Sequence, residues 1–491
     1  MDTISSIKPI QIENNRQLSD VKKIFVMKTI WVPDLSDHAG PRYRAIAEAV
    51  ARAVAAGELA VGDRLPTHRA LADALGVTVG TVTRGYAEAE RRGLVSARVG
   101  SGTYVRSPQD GSGQGFSVAP AAEDGDIDFG LAFPVPMGRT PALADALRDL
   151  AGDDAALAEC LGYHPEAGLP RHRTELARWL RGWGYGIDAG HSLICLGALH
   201  GLNMALQAVA RPGETVASAG LVYPGMIAAA RGLGLRHLPL ASDGEGVQPG
   251  ALEAACRQHA VRAVYLTPDQ NNPTAEVIPG HRRDELLAVA GRHDVAVIED
   301  AVHLVAAAER PSALVDRAPE RVIHITGVSK VLAGGLRVGL VQAPPRWFDD
   351  VAQALRGNCW MAPPLNAEAA CRWIDSGAAD ELARRQREEI AARQALVAEH
   401  FQGLAFAAQP YGFNVWLHLP EPWRADEFAR ACAAEGVRLK TGEPFAVGRH
   451  PVPQAVRLAI SAPAARERVA EGLARVRRVL ERGPGRGGAT L

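Results

Sequence analysis

The chain has 491 residues, with 54 Lys and Arg against 55 Asp and Glu, so a net charge of −1 excludes a uniformly basic nucleic-acid coat and leaves room for one local basic face. Apolar residues are 47% and charged residues 22%, the balance of a globular protein with sizeable cores, and no run approaches the roughly 18 apolar residues of a membrane span. Six cysteines without a C-x-x-C pair point to free thiols in a reducing compartment, hence the cytoplasm.

In chain order, residues 1–27 are rich in Ile, Asn and Lys and read as a disordered extension, with Met27 as an alternative start. Residues 28–106 form a compact block. Ala45, Ile46, Ala49, Val50, Ala53 and Val54 repeat at helical spacing, and Gly57 and Gly62 close that helix. Thr67 is placed to cap a short second helix carrying Leu71, Ala72 and Leu75, which Gly76 ends. Thr78 is placed to cap a third, running to about Arg92. Residues 94–98 and 103–106 then alternate as two strands around a tip at Gly100-Ser101-Gly102. Two helices joined by Gly76-Val77, with a hairpin behind them, predict a winged helix-turn-helix. Ten Arg against six Asp and Glu between 41 and 106 concentrate positive charge there, at a net +4. Thr78, Thr81, Thr83 and Arg84 open the recognition helix. Arg69 and Arg98 are candidate phosphate contacts, and Gly100 and Gly102 would let backbone approach a duplex.

Residues 107–126, rich in Gly, Ser, Pro and acids, predict a flexible linker. From 127 to 482, strand-like segments (192–196, 215–218, 262–267, 295–299, 322–326 and 338–342) alternate with helical ones, which predicts a mainly parallel α/β sheet. That large lobe spans about 150–360. A long charged helix at 378–400 and strands near 413–418 and 455–460 predict a smaller α+β lobe at about 365–482, followed by a disordered tail at 483–491.

Lysine usage singles out one position. Only six of the 54 cations are Lys, and beyond Lys28 only Lys330 and Lys440 occur. Lys330, after a strand and before a Gly-rich turn, reads as a Schiff-base amine or as a surface lysine. Asp300, ending the strand 295–299, reads as a partner for a pyridinium nitrogen or as a helix cap. Asn272, in the loop LTPDQNNPTAE, is a donor to a ring phenolate or a turn residue. Gly197-Ala198-Leu199 opens a helix whose N–H groups suit a phosphate, and Arg337 could contact the same phosphate or form a surface ion pair. Tyr223 could stack on a flat ring or pack in a turn. Arg457, on a late strand, could clamp a carboxylate.

Two resemblances order these readings. The stretches YRAIAEAVARAVAAGELAVGDRLPTHRALADALGV, TVGTVTRGYAEAERRGLV and GSGTYV resemble the GntR family of winged-helix regulators. Many relatives carry Arg where this chain has Val79. Residues 127–480 resemble fold-type I aminotransferases of the aspartate aminotransferase superfamily, which bind pyridoxal 5'-phosphate. That resemblance implies Lys330 as the aldimine lysine, Asp300 as the pyridinium partner, Asn272 as an O3′ partner and Tyr223 as the stacking ring. It implies Arg337, Ser329 and Gly197–Leu199 as phosphate ligands and Arg457 as the carboxylate clamp. His303 stands where relatives often have Tyr, with a charge expected to vary near neutral pH. Gly327 stands where they often have Ser. Together the two domains resemble the MocR subgroup. This implies a homodimeric transcriptional regulator that binds operator DNA and senses an amino compound through external aldimine formation. The rival reading is a working aminotransferase with a 2-oxo acid acceptor and an autoregulatory DNA-binding domain.

Overall fold

A computed structural model describes residues 31–35, 40–60, 62–92, 94–98, 102–105 and 125–484. The expected extension at 1–27, the hairpin tip Gly100-Ser101, the linker up to 124 and the tail from 485 lie outside the described residues. The chain divides into two compact units, Met1–Ser112 and Gly113–Leu491.

The first unit carries helices Arg42–Ala55, His68–Leu75 and Val79–Arg91 and an antiparallel pair of strands, Val95–Arg98 and Gly102–Val105. Local signals set these boundaries. Thr67 Oγ1 accepts from Ala70 N at 3.2 Å and Thr78 Oγ1 from Thr81 N at 3.2 Å, so each hydroxyl satisfies a donor that a helix start leaves open. Gly76, at φ 62°, makes the left-handed turn between the two. Ile46, Val50, Leu71, Val82, Tyr86, Val95 and Val105 close the core.

In the second unit, seven strands lie in the order Ser192–Cys195, Gly339–Gln342, Val322–Gly327, Ala296–Asp300, Val261–Leu266, Thr215–Ala219, Arg236–Leu240. Gly339–Gln342 runs antiparallel to both neighbours, and every other pairing is parallel. Apolar clusters cover both faces, one built on Trp179, Leu252 and Leu286, the other on Leu202, Met204 and Leu355. Burial on both sides is why the strands read as continuous apolar runs. The strand Arg236–Leu240 was not expected. It sits at the sheet edge, where Pro239 costs no ladder bond, and its half-exposed, mixed composition hides it.

The small lobe is a four-stranded antiparallel sheet, in the order Phe406–Ala408, Asn414–His418, Ala455–Ala459, Lys440–Thr441. One of its faces packs Val415, Leu417, Val456 and Leu458 against the helices Ala378–His400 and Arg466–Arg482. The chain arriving at Ile127–Asp128 pairs in parallel with Val437–Arg438 of this lobe before it crosses to the large one. Among the described residues no helix is long and apolar enough to cross a membrane.

Candidate functional site

Parallel strands bring their carboxyl ends to one crevice, and the candidate residues collect there. Asp300, buried at the end of Ala296–Asp300, accepts from the Tyr265 hydroxyl at 2.6 Å and from Val302 N at 3.2 Å. Burial pushes its carboxyl up, and these two donors, His324 and Lys330 oppose that rise. Tyr265 comes from the adjacent strand and was missed in the sequence. Its only signal is a polar-tipped ring in an apolar run.

Lys330 ends the turn Val328–Lys330 directly after Val322–Gly327. Burial first, then the charge of Arg457, lowers its amine to about 8, against the pull of Asp300. Its Nζ donates to Ala132 O, and Gln386 Nε2, from the small-lobe helix, donates to Lys330 O at 2.7 Å. Tyr223 stands immediately before the helix Pro224–Gly232, and its phenol is pushed up by burial and then by the Asp300 charge. Tyr223, Tyr265, Asp300 and Lys330 therefore share one electrostatic environment. His303 requires a correction. Burial and the Lys330 charge lower its imidazole to about 3, so it stays neutral across the physiological range instead of varying near pH 7.

Asn272 Oδ1 is buried with no hydrogen-bond partner. Its neighbour Asn271 is committed elsewhere, with Nδ2 donating to Leu221 O at 3.1 Å and Thr274 Oγ1 at 2.8 Å. A buried amide oxygen without a partner is uncommon enough to mark a place where another group belongs.

At the other end of the crevice, Gly197 at φ 81° precedes the helix Ala198–Val209. His200 N and Gly201 N both donate back to Gly197 O, which leaves the N–H groups of Ala198 and Leu199 at the positions a helix start never satisfies internally. Arg337 donates to Leu196 O at 3.0 Å and to Ser329 Oγ at 3.4 Å. A Cβ on Gly327 would meet Val338 O at 3.2 Å and Ala198 N at 3.5 Å, so the strand end packs closely against the start of this helix. An anion-binding end, a carboxylate at the ring end and a buried amide between them fit pyridoxal phosphate.

Arg457 is 4% exposed on Ala455–Ala459. It donates to Asn414 Oδ1 at 3.1 Å and to Gly130 O, and its Nε is buried without a partner. Among the described buried arginines, Arg283 and Arg310 face Asp269, and Arg393 faces Glu389. Arg457 has no carboxylate within 4 Å among the described residues, and burial lowers its guanidinium to about 10 against the pull of the more distant Asp128 charge.

On the first unit, Arg69 and Arg84 are exposed. The hydroxyls of Thr78 and Thr81 meet at 2.9 Å, and Thr83 donates to Val79 O at 2.9 Å. Val79 is the first residue of the recognition helix and is 46% exposed. Gly102, at φ 116°, packs against Arg64. Gly100 and the Arg98 side chain lie outside the described residues.

Residues 135–476 match the family of class I and II aminotransferases, and residues 42–105 match bacterial regulatory proteins of the gntR family. The HTH-type transcriptional regulator YdeF of Bacillus subtilis is 29% identical over 452 residues, 92% of this chain and 97% of its own length. The HTH-type transcriptional regulator TauR of Rhodobacter capsulatus is 28% identical over 88% of this chain and 95% of its own. Among solved structures, LysN, an α-aminoadipate aminotransferase from Thermus thermophilus complexed with N-(5'-phosphopyridoxyl)-L-leucine, is 27% identical. It covers 73% of this chain and 92% of its own, with a TM-score of 0.64.

Proposed function

The chain belongs to the class I and II aminotransferase family and carries a gntR-family DNA-binding domain, and from that premise we propose that it is a transcriptional regulator answering to an amino compound. Its cofactor is pyridoxal 5'-phosphate. When bound, the cofactor supplies an aldehyde that reacts reversibly with amines. Lys330 would hold it covalently, Asp300 would face its ring nitrogen, Asn272 and the neutral His303 its phenolic edge, and Tyr223 the flat of the ring. Ser329, Arg337 and the helix start at Gly197–Leu199 would take its phosphate. In our reading the protein works in the cytoplasm as a homodimer, whose two recognition helices suit an operator with two half-sites.

The observation that carries this reading is Arg457. A buried guanidinium with no carboxylate at salt-bridge distance is costly, and the cost falls when a ligand brings an anion to it. A ligand with an amine for the cofactor and an anion for Arg457 then favours one conformation of the site over another, which is what a switch requires. Lys330→Ala tests it on operator DNA. The intact protein should change its operator affinity or footprint when amino compounds are added, and the variant should not. A Lys330→Ala protein that answered normally would refute the route.

One observation favours a catalytic reading beside this one. An amine lowered to about 8 can both hold and release a proton near neutrality, as transamination needs of Lys330. Multiple turnovers of amino transfer to a 2-oxo acid would establish it.

A further inference from the structure

Lys440 is, with Lys330, one of only two lysines beyond Lys28. The small-lobe sheet gives it a place. Lys440 stands directly opposite Arg457 in the antiparallel pairing of Lys440–Thr441 with Ala455–Ala459, so both side chains leave the same face of the sheet. On the far side of Arg457, in the same row, stands Trp416, buried in a cluster with Leu221 of the large lobe. That face is therefore turned toward the crevice, two residues from Tyr223. Gly130 lies against both side chains. Its carbonyl accepts from Arg457, and the Lys440 Cε lies 3.5 Å from the point where a Gly130 Cβ would be. Asp128 lies beside them: its Oδ1 accepts from Gly130 N at 2.5 Å, and its charge favours the Arg457 cation without reaching salt-bridge distance. No carboxylate lies within salt-bridge distance of Lys440 among the described residues, in a chain that otherwise uses Arg 48 times out of 54.

We propose that Lys440 is a specificity residue of this site: Arg457 takes one anionic group of the ligand and Lys440 a second, so the site selects amino compounds with two acidic groups. The inference rests on the functional reading above and sharpens it from an amino compound to an α-amino dicarboxylate. Two cations on neighbouring strands, both against Gly130, suit two separate anions. A single carboxylate would be served by Arg457 and Asn414 alone.

The test is a titration of the cofactor-loaded full chain, followed by visible absorbance, with L-glutamate and L-2-aminoadipate against L-alanine and L-leucine. The dicarboxylates should bind at least about tenfold more tightly than the monocarboxylates, and Lys440→Met should abolish that preference while leaving alanine affinity unchanged. In the unsubstituted protein, glutarate should compete with the amino acids and butyrate should not. Equal affinity for both classes, or an equal loss for both in Lys440→Met, would overturn the assignment while leaving the amine-sensing reading intact. If no amino acid altered the absorbance of the cofactor-loaded, unreduced protein, while borohydride reduction of a separate sample placed the cofactor on Lys330, the sensing reading itself would fall.

Discussion

Tyr265 shows how much one hydroxyl contributes to the site. It is the shortest donor to Asp300, whose carboxylate burial alone would drive toward its protonated form. Removing it should cost about 1 kcal/mol of carboxylate stabilisation. Tyr265→Phe is expected to weaken cofactor binding about fivefold, measured by equilibrium titration, with the fold retained. The Lys330 amine carries a pH signature of its own. Only the neutral amine attacks an aldehyde, and its lowering from the ordinary 10.5 to about 8 puts the rise within reach of experiment. The rate of cofactor loading should climb through pH 7 and level off just above 8; a rate still climbing at pH 10 would mean an ordinary, solvated lysine. Lys330 and Asp300 were legible because a chain so poor in Lys kept one beside a strand end, and an acid ended another strand. Tyr265 and Asn414 were not. Their meaning depends on partners 35 and 43 residues away, brought close only by folding.

At the level of elements, caps and turns were the most readable part. Thr67, Gly76 and Thr78 sit where local chemistry puts them, because a cap is decided within four residues. The same hydroxyl that marks Thr78 as a base or phosphate contact is engaged with Thr81 N. Thr78→Ala should therefore cost about 1 kcal/mol, seen by calorimetry of the full chain as a transition of the first unit lowered by roughly 4–8 °C. If operator affinity fell with no thermal change, the hydroxyl's main role would be contact with DNA. The strands Phe406–Ala408, Lys440–Thr441 and Arg236–Leu240 were not legible. Two are too short to show a period of two, and the third is an edge strand without an apolar run. Missing Lys440–Thr441 had a consequence, since it concealed the lysine opposite Arg457.

For the whole molecule, two compact units and two family matches agree that one chain carries a DNA reader and an aminotransferase fold. Every residue assigned to the cofactor belongs to the second unit. Saturating pyridoxal phosphate at 100 times its Kd should stabilise that unit by about 2.7 kcal/mol, and scanning calorimetry should show its transition rising well ahead of the first unit's. Equal shifts in both would mean that the units melt together. The architecture was readable at this scale because alternating strands and helices leave a long-range pattern, whereas the small lobe draws on both ends of its unit.

That last point bears on how the protein can be cut. Ile127 and Asp128 add a strand beside Val437–Arg438, and within five residues the same stretch offers carbonyls to Arg457 and Lys330. A fragment begun at 135, where the family match opens, would strip an edge from the small lobe and take away the backbone acceptors of both cations. Anyone isolating the aminotransferase half for crystallography or assay should start upstream of Asp126 and keep that short leader attached.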